Sequence, residues 1–380
     1  MILTNFRAFY FFFFLLLTAF SCAVQAIPAP PKIDATSSTL IDYHSGKVLV
    51  AVNADERVEP ASLTKMMTAY IVYDEIAKGR ITLDTETVVS EKAWRMEGSR
   101  MFLEVGKKVK VGPLIKGLVI QSGNDASIVL AELVAGDEAS FADYMNQYAQ
   151  KLGMSNTHFM NATGLPHPEH YTTAQDMGVL ARALIKQFPE RYKTYSQKEF
   201  TYNKIRQENR NRLLWRDDSV DGIKTGHTQS AGYSLVASAK KNDMRLISVV
   251  MGAKSDKVRT RENAKLLRYG FSFYETHKLY QAGAALDTPR IWKGEIKTVP
   301  VGLQEDLYIT VERGQYSQLK PAILMKSPLL APVMAGDAVG SLEVMMADER
   351  LFTSPVIALE NISEGNFFRQ LLDSALLYFE

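Results

Sequence analysis

Apolar residues change period several times along the chain, and each change predicts an element. Leu40-Ile41-Asp42-Tyr43 and Val48-Leu49-Val50 flank His44-Ser45-Gly46-Lys47, which reads as a β-hairpin. Over Ser62 to Lys78, Leu63, Met66, Met67, Tyr70 and Ile71 recur at i, i+3, i+4, i+7 and i+8, and Gly79 follows as a C-cap, the pattern of a buried helix. Helical periods continue over Leu114 to Ile120 behind Pro113, Ala126 to Ala135 before Gly136, Phe141 to Leu152 before Gly153, and Ala174 to Lys186. Thr173 and Asp176 are spaced as a capping box for the last of these, with Asp in the usual place of Glu. From Tyr233 the texture is that of strands, Tyr233 to Ala239 and Leu246 to Met251 about the turn Lys241-Asn242-Asp243. A helix from about Arg259 to His277 follows. Strands at both ends with helices between them predict one antiparallel sheet, closed by N- and C-terminal strands and covered by helices, an α+β arrangement.

Beyond about Thr288 the pattern shifts again. Six of the fourteen prolines lie between Pro289 and Pro355, and short alternating runs such as Leu307-Tyr308-Ile309-Thr310-Val311 and Gly340 to Val344 replace helical periods, which predicts a small all-β domain. The last segment, Glu364 to Glu380, carries Phe367, Phe368, Leu371, Leu372, Ala375, Leu376 and Phe379 on one side, an amphipathic helix. It is either packed on the protein's own surface or seated in a membrane interface. Its three acids, Glu364, Asp373 and Glu380, against one base, Arg369, give anionic lipid no reason to attract it. The expected division is thus 27–277 for the first domain, 278–362 for the β-rich one and 363–380 for the terminal helix.

The 380 residues exceed one domain at roughly 150 residues each, so two or three domains are expected. With 46% apolar and 23% charged residues and a net charge of +2, the composition is globular, and no nucleic-acid partner is implied. The one cysteine, Cys22, lies in a segment that reads as a leader: Arg7, an apolar run from Ala8 to Phe20, and the small-residue exit Val24-Gln25-Ala26. A secretory signal peptide over 1–26, cut after Ala26, leaves a chain without disulfides that works outside the cytoplasm.

Candidate chemistry narrows the picture further. The six histidines include no His-Glu-x-x-His and have no cysteine partners, and His167 and His170 sit among Pro166 and Pro168 in a loop, where a structural or substrate-lining role is expected. No Walker-type phosphate loop occurs. Ser62-Leu63-Thr64-Lys65 places a serine and a lysine one turn apart on a strongly periodic helix, where an oxygen and an amine meet. The same spacing at Ser238/Lys241 and Ser317/Lys320 lies in strand-like text and lacks that geometry. A serine needs a base, and a lysine serves as one only where burial or a second cation lowers its pKa. Ser122-Gly123-Asn124, between two helices, and Lys224-Thr225-Gly226, ahead of the Tyr233 strand, supply that company: a second cation to keep Lys65 neutral and a hydroxyl to relay a proton.

This ordered set resembles the serine-active penicillin-binding enzymes, and within them the D-alanyl-D-alanine carboxypeptidases of low molecular mass. Pro60-Ala61-Ser62-Leu63-Thr64-Lys65-Met66-Met67-Thr68, Gly98 to Leu103, Ser122 to Ala126, Asn161 to Pro166 and Asp221 to Thr228 carry the resemblance, together with the β domain and the tail after Glu364. It implies a β-lactamase/transpeptidase-like domain, then a small all-β domain and an amphipathic helix. It implies that Ser62 attacks the carbonyl between two terminal D-alanines with Lys65 as base, and that Ser122 and Lys224 manage the proton to the departing D-alanine. Asn124 would hold the substrate backbone, Thr225 with Arg259 its terminal carboxylate, and the backbone N–H groups of Ser62 and His227, beside Gly226, the oxyanion. Arg261 is the alternative to Arg259. The implied partners are peptidoglycan stem peptides, β-lactams as covalent inhibitors, and a membrane surface through the C-terminal helix, with no cofactor and no metal. The implied location is the periplasm, on the outer face of the cytoplasmic membrane.

Other readings of the same residues are a DD-endopeptidase, a low-turnover penicillin-binding sensor or structural protein, and a β-lactamase. The last needs a deacylating Glu-x-x-x-Asn, and Glu199 with Asn203 match it only in a strand-like context 25 residues before Lys224.

Overall fold

The hairpin near the start is one edge of a larger sheet. Strands β1 (Ser37–Asp42) and β2 (Val48–Val52) pair antiparallel. β3 (Val220–Thr228), β4 (Gly232–Lys241) and β5 (Met244–Ala253) continue the sheet in the order β2-β1-β5-β4-β3, every neighbour antiparallel. Leu40 lies opposite Ser248, so the N-terminal strand closes the sheet as the sequence implies. The computed structural model describes residues 27–379, so the leader expected at 1–26 lies outside the described residues. The elements below all belong to one compact unit, Pro31–Glu380.

Both faces of the sheet are covered, which is why β1 is buried along its whole length rather than on alternate residues. The longer helices here are α1 (Lys65–Ala77), α2 (Val111–Lys116), α3 (Asn124–Ala135), α4 (Glu138–Leu152), α5 (Ala174–Gln187) and α6 (Asp256–Phe273). Gly178 of α5 sits against Ile41 and Thr39, and Gly270 of α6 against Leu40 and Leu246. Successive residues of a strand point to opposite faces, so α5 and α6 clamp the sheet from its two sides. Helix α1 is buried without interruption from Lys65 to Tyr73, as befits a helix packed on all sides. Full burial of an apolar side chain such as Met66 or Met67 contributes roughly 2 kcal/mol.

Two sequence expectations change in detail. The capping box at α5 is half formed: Thr173 Oγ1 accepts from the Asp176 N–H at 3.0 Å, but the Asp176 carboxylate turns to Asn156 and Thr157. The helix expected to reach His277 runs instead from Asp256 to Phe273, capped by Ser255, whose Oγ accepts from Val258 N–H. At Tyr274 the backbone becomes extended and β6 (Tyr274–Tyr280) pairs with β8 (Leu307–Glu312). The border at 277/278 therefore falls inside a strand. Long-range pairing of an alternating Tyr-Glu-Thr-His-Lys-Leu-Tyr stretch outweighs the local helical continuity.

In the C-terminal part, strands β7 (Val301–Gly302), β9 (Leu319–Met325), β10 (Ala338–Met346) and β11 (Glu349–Ala358) form a second sheet in the order β7-β11-β10-β9 around a core that includes Ile291, Val301, Val311, Leu342 and Val356. A buried polar joint ties this part to the first sheet. Asp42, wholly buried, accepts from Ser45 N–H (2.8 Å), Ser45 Oγ (2.9 Å) and Thr276 Oγ1 (2.7 Å), and Ser45 Oγ lies 2.7 Å from Thr310 Oγ1.

The terminal helix α7 (Phe367–Leu377) opens at Asn366, whose Oδ1 accepts from Arg369 N–H. Its inner side is fixed to the β domain: Asp373, 6% exposed, accepts from Lys293 N–H at 2.7 Å, and Arg369 donates to Glu295 O at 3.1 Å. Its outer side leaves Phe367 74% and Phe368 80% exposed, with Leu371 and Leu372 beside them. No helix among the described residues is long and apolar enough to cross a membrane.

Candidate active site

Ser62 stands in a 3-10 turn (Ala61–Thr64) that runs straight into α1 at Lys65. Ala61 before it holds a left-handed φ of +47°, a costly conformation for alanine that persists because its surroundings allow no other. Those surroundings are backbone: a Cβ on Gly164 would lie 1.8 Å from Ala61 O. Asn161 makes the turn that brings Gly164 there, its Oδ1 accepting from Thr163 N–H, Thr163 Oγ1 and Gly164 N–H. The same turn aims Thr163 O at Lys65. Gly164→Ala, with φ +85° at that position, is therefore expected to push the Ser62 segment aside and slow β-lactam acylation by at least about 100-fold, measured as the second-order rate of covalent labelling.

Lys65 Nζ lies 3.0 Å from Ser62 Oγ, 2.7 Å from Asn124 Oδ1 and 2.6 Å from Thr163 O. A neutral amine has two N–H groups and one lone pair. The amide and carbonyl oxygens take the two donors, which leaves the lone pair for the Ser62 hydroxyl. Burial, with the Arg210 guanidinium adding to it and Asp125 opposing both, brings Lys65 down to about 7. Serine and lysine are thus in register for proton transfer.

The Ser122 loop is built by an irregular helix end. After α2 the chain widens into a π-helical turn, Gly117–Gln121, and Ser122 closes it in a left-handed conformation with φ +66°. Gly123 follows because a Cβ there would meet Asp125 Oδ1 at 2.7 Å. The Asp125 carboxylate in turn holds the Met101 and Leu103 N–H groups, and Asn124 N–H donates to Ser99 O, so the Gly98 to Leu103 strip becomes one wall of the site. Lys224, on β3, donates to Ser122 Oγ at 2.8 Å and to Thr225 O at 3.0 Å. Burial holds Lys224 well below its ordinary pKa, and Lys65, Arg210 and Arg259 add to the depression.

Ser62, Ser122, Asn124, Thr225, Gly226, His227 and Arg259 share one cleft of about 370 Å³ with Arg210. β3 forms the edge of the sheet there, and Gly226 lets it pass close to the nucleophile's turn, since a Cβ at that position would lie 3.0 Å from Pro60 O. His227 is exposed and its ring centroid lies 3.9 Å from that of Tyr233, leaving its backbone on the cleft.

Two residues are held more firmly by the protein than the resemblance implies. Asn124 accepts from Lys65 at Oδ1 and gives one of its two Nδ2 N–H groups to Glu97 O at 2.6 Å, so it positions the base and keeps one donor at the cleft. Arg259 is buried and braced, giving Nη1 to Gly226 O and Ser234 O and its other nitrogens to Asp256. It is nevertheless the cleft arginine of the pair, since Arg261 is half-exposed on Glu262 and Asp34. Arg210 lines the cleft and has no hydrogen bond or ion pair among the described residues, and no motif marks it. Its only signal is the flanking Asn209 and Asn211, both buried, which fasten the loop to Tyr195 O, Gln197 O and Gly222 O. Glu199 and Asn203 lie elsewhere, in a surface hairpin paired with Arg206 and Glu104. His170 is a packing residue, its Nε2 2.9 Å from Thr64 Oγ1 and burial holding it down to about 4.

Residues 24–255 match the D-alanyl-D-alanine carboxypeptidase family of peptidases, and residues 274–364 match the C-terminal domain of penicillin-binding protein 5. The chain belongs to the D-alanyl-D-alanine carboxypeptidase family. Among its relatives, the D-alanyl-D-alanine carboxypeptidases DacC and DacA of Escherichia coli are 46% and 42% identical, over 97% and 96% of this chain and 94% of theirs. The crystal structure of penicillin-binding protein 5 from Haemophilus influenzae superposes with a TM-score of 0.85 at 40% identity, covering 89% of this chain and all of the other. Penicillin-binding protein D2 of Listeria monocytogenes, solved in its ampicillin-bound form, matches 64% of this chain and all of its own at 30% identity and a TM-score of 0.60. The carboxypeptidase fold is thus the β-lactamase/transpeptidase-like one, followed by the all-β domain.

Proposed function

We propose that this D-alanyl-D-alanine carboxypeptidase trims the terminal D-alanine from peptidoglycan pentapeptide stems through an acyl-enzyme on Ser62. The observation that carries the residue assignment is the Lys65 amine with both donors occupied and its lone pair facing Ser62 Oγ. Ser62 Oγ bonds to the penultimate D-alanine carbonyl carbon as its proton passes to Lys65. The oxyanion sits on the Ser62 and His227 N–H groups at the cleft wall. The C–N bond then breaks; the Ser122 hydroxyl, held by Lys224, hands its proton to the leaving amine and recovers one from Lys65, which returns to neutral. Neutral Lys65 then takes a proton from water, whose oxygen attacks the ester carbonyl, and returns that proton to Ser62 Oγ as the ester bond breaks. The substrate backbone aligns along the free edge of β3, and its terminal carboxylate meets Thr225 and the cations Arg210 and Arg259. β-Lactams present an acyl carbonyl to the same serine.

The reading has a pH signature. Below a pH of about 7 Lys65 carries a proton and is no base, so acylation is expected to fall about tenfold per pH unit on the acid side of that value. Arg210→Gln removes a cation that disfavours the charged lysine, so the break moves to higher pH. The same variant should raise KM for a D-Ala-D-Ala peptide about tenfold, and far less for an amidated one. A pH profile of kcat/KM for both proteins checks the shift; an unmoved break with unchanged KM would remove Arg210 from the site.

The leader and the exposed face of α7 support a periplasmic enzyme attached to the outer face of the cytoplasmic membrane. Release of free D-alanine, as opposed to a longer peptide, separates carboxypeptidase from endopeptidase action.

A further inference from the structure

The charges of the terminal helix look different in three dimensions from their sum along the sequence. Asp373 is buried and committed to Lys293 N–H and, at 3.5 Å, to Arg290, while Glu364 accepts from the Gln370 amide. In their place the β domain brings cations to the flank of α7. A cavity of about 310 Å³ there is lined by Arg290, Lys297 and Arg369, with Asp373 the one carboxylate, so positive charge exceeds negative by two (3 − 1). Arg290 is held flat on Trp292, its guanidinium carbon 3.4 Å from the ring centroid, and the Lys297 amine has no hydrogen bond or ion pair among the described residues. Phe368 and Leu372, both exposed, form the outer side of the same cavity and continue into the apolar face of α7.

We propose that this cavity is a binding site for the phosphate headgroup of an anionic phospholipid, whose acyl chains lie along Phe368, Leu372 and the outer face of α7. The inference rests on the membrane attachment proposed above. The guanidinium fork of Arg290, pre-set by stacking, suits two phosphate oxygens, and Lys297 adds a mobile point charge. A soluble phosphate would gain nothing from the apolar side of the cavity, whereas a lipid uses both parts at once. The continuity of cationic cavity and apolar face commits the site to lipid.

The test is sedimentation of the chain from Ile27 onward with vesicles of phosphatidylcholine, with and without phosphatidylglycerol, at low salt. Two net charges at about fivefold each predict a preference for the anionic vesicles of roughly 25-fold, shrinking as salt is added. Lys297→Gln should reduce that preference about fivefold, and adding Arg290→Gln should remove most of the rest, with phosphatidylcholine binding unchanged in Lys297→Gln. D-Alanine release from a soluble peptide, unchanged in Lys297→Gln, shows the fold intact. Equal binding to both vesicles, or a preference that survives both substitutions, would overturn the headgroup site and leave attachment standing. Binding to neither vesicle would overturn the attachment reading and this one with it. Phe368→Ser with Leu372→Ser should abolish binding to both.

Discussion

Ser62→Ala is expected to lower the release of D-alanine from a D-Ala-D-Ala peptide by about 10⁴-fold or more and to abolish covalent labelling by penicillin. Both losses follow from one atom, because no other hydroxyl in the cleft combines exposure with a lone pair aimed at it. Ser122 is 2% exposed, and the amine beside it, Lys224, donates to its oxygen. Ser62 is half-buried and its Oγ meets only Lys65 among the described side chains, so the fold should survive with a melting temperature within a few degrees of the parent. Residual labelling at the parent rate in Ser62→Ala would transfer the nucleophile to another residue.

The second large effect is at the base. Lys65→Met keeps the length of the side chain and removes the amine, and acylation should fall by about 10³-fold to 10⁴-fold. Its stability gives an independent readout. Lys65 in the folded chain is pushed down to about 7 from an ordinary 10.5, so between these values the unfolded chain holds a proton that the folded one lacks. Stability from this group then rises with pH across that window, by about 1 kcal/mol per pH unit, and is lost as pH falls through 7. Lys65→Met has no such group. Denaturant titrations from pH 7 to pH 9 should show the parent gaining on the variant, and parallel curves would mean that Lys65 is charged in the fold and is no base.

Much of the catalytic side of this protein is legible in its sequence because it is local. Ser62 and Lys65 share one helix face, and the Ser122 and Lys224 triplets announce themselves by the settings in which they occur. What the sequence hides depends on which partner a polar group chooses. Asn124 and Arg259 lie in the cleft, yet their hydrogen bonds go to Lys65, Glu97, Gly226, Ser234 and Asp256, choices that no spacing encodes. Arg210 is invisible for the opposite reason: it has no partner among the described residues, and only the burial of Asn209 and Asn211 on either side places it. The helix expected to end at His277 fails for want of knowledge that residues 307 to 312 wait to pair with 274 to 280. The charge of the tail misleads because a linear count cannot see Asp373 turn inward.

The joint at Asp42 has a consequence for where this enzyme can work. Asp42, Ser45, Thr276 and Thr310 link the turn of the first hairpin to β6 and β8 through hydrogen bonds centred on the buried Asp42 and Thr310. A carboxylate so satisfied leaves little slack, so the β domain behaves as a strut of constant length and not as a tether. If α7 is seated on a lipid surface, as proposed above, Ser62 would be carried at one altitude above it. Selection among stem peptides would then acquire a vertical coordinate: strands of wall at that altitude would be trimmed, and others passed over whatever their chemistry. Lengthening the strut, with every residue of the cleft untouched, would change which layer is cut.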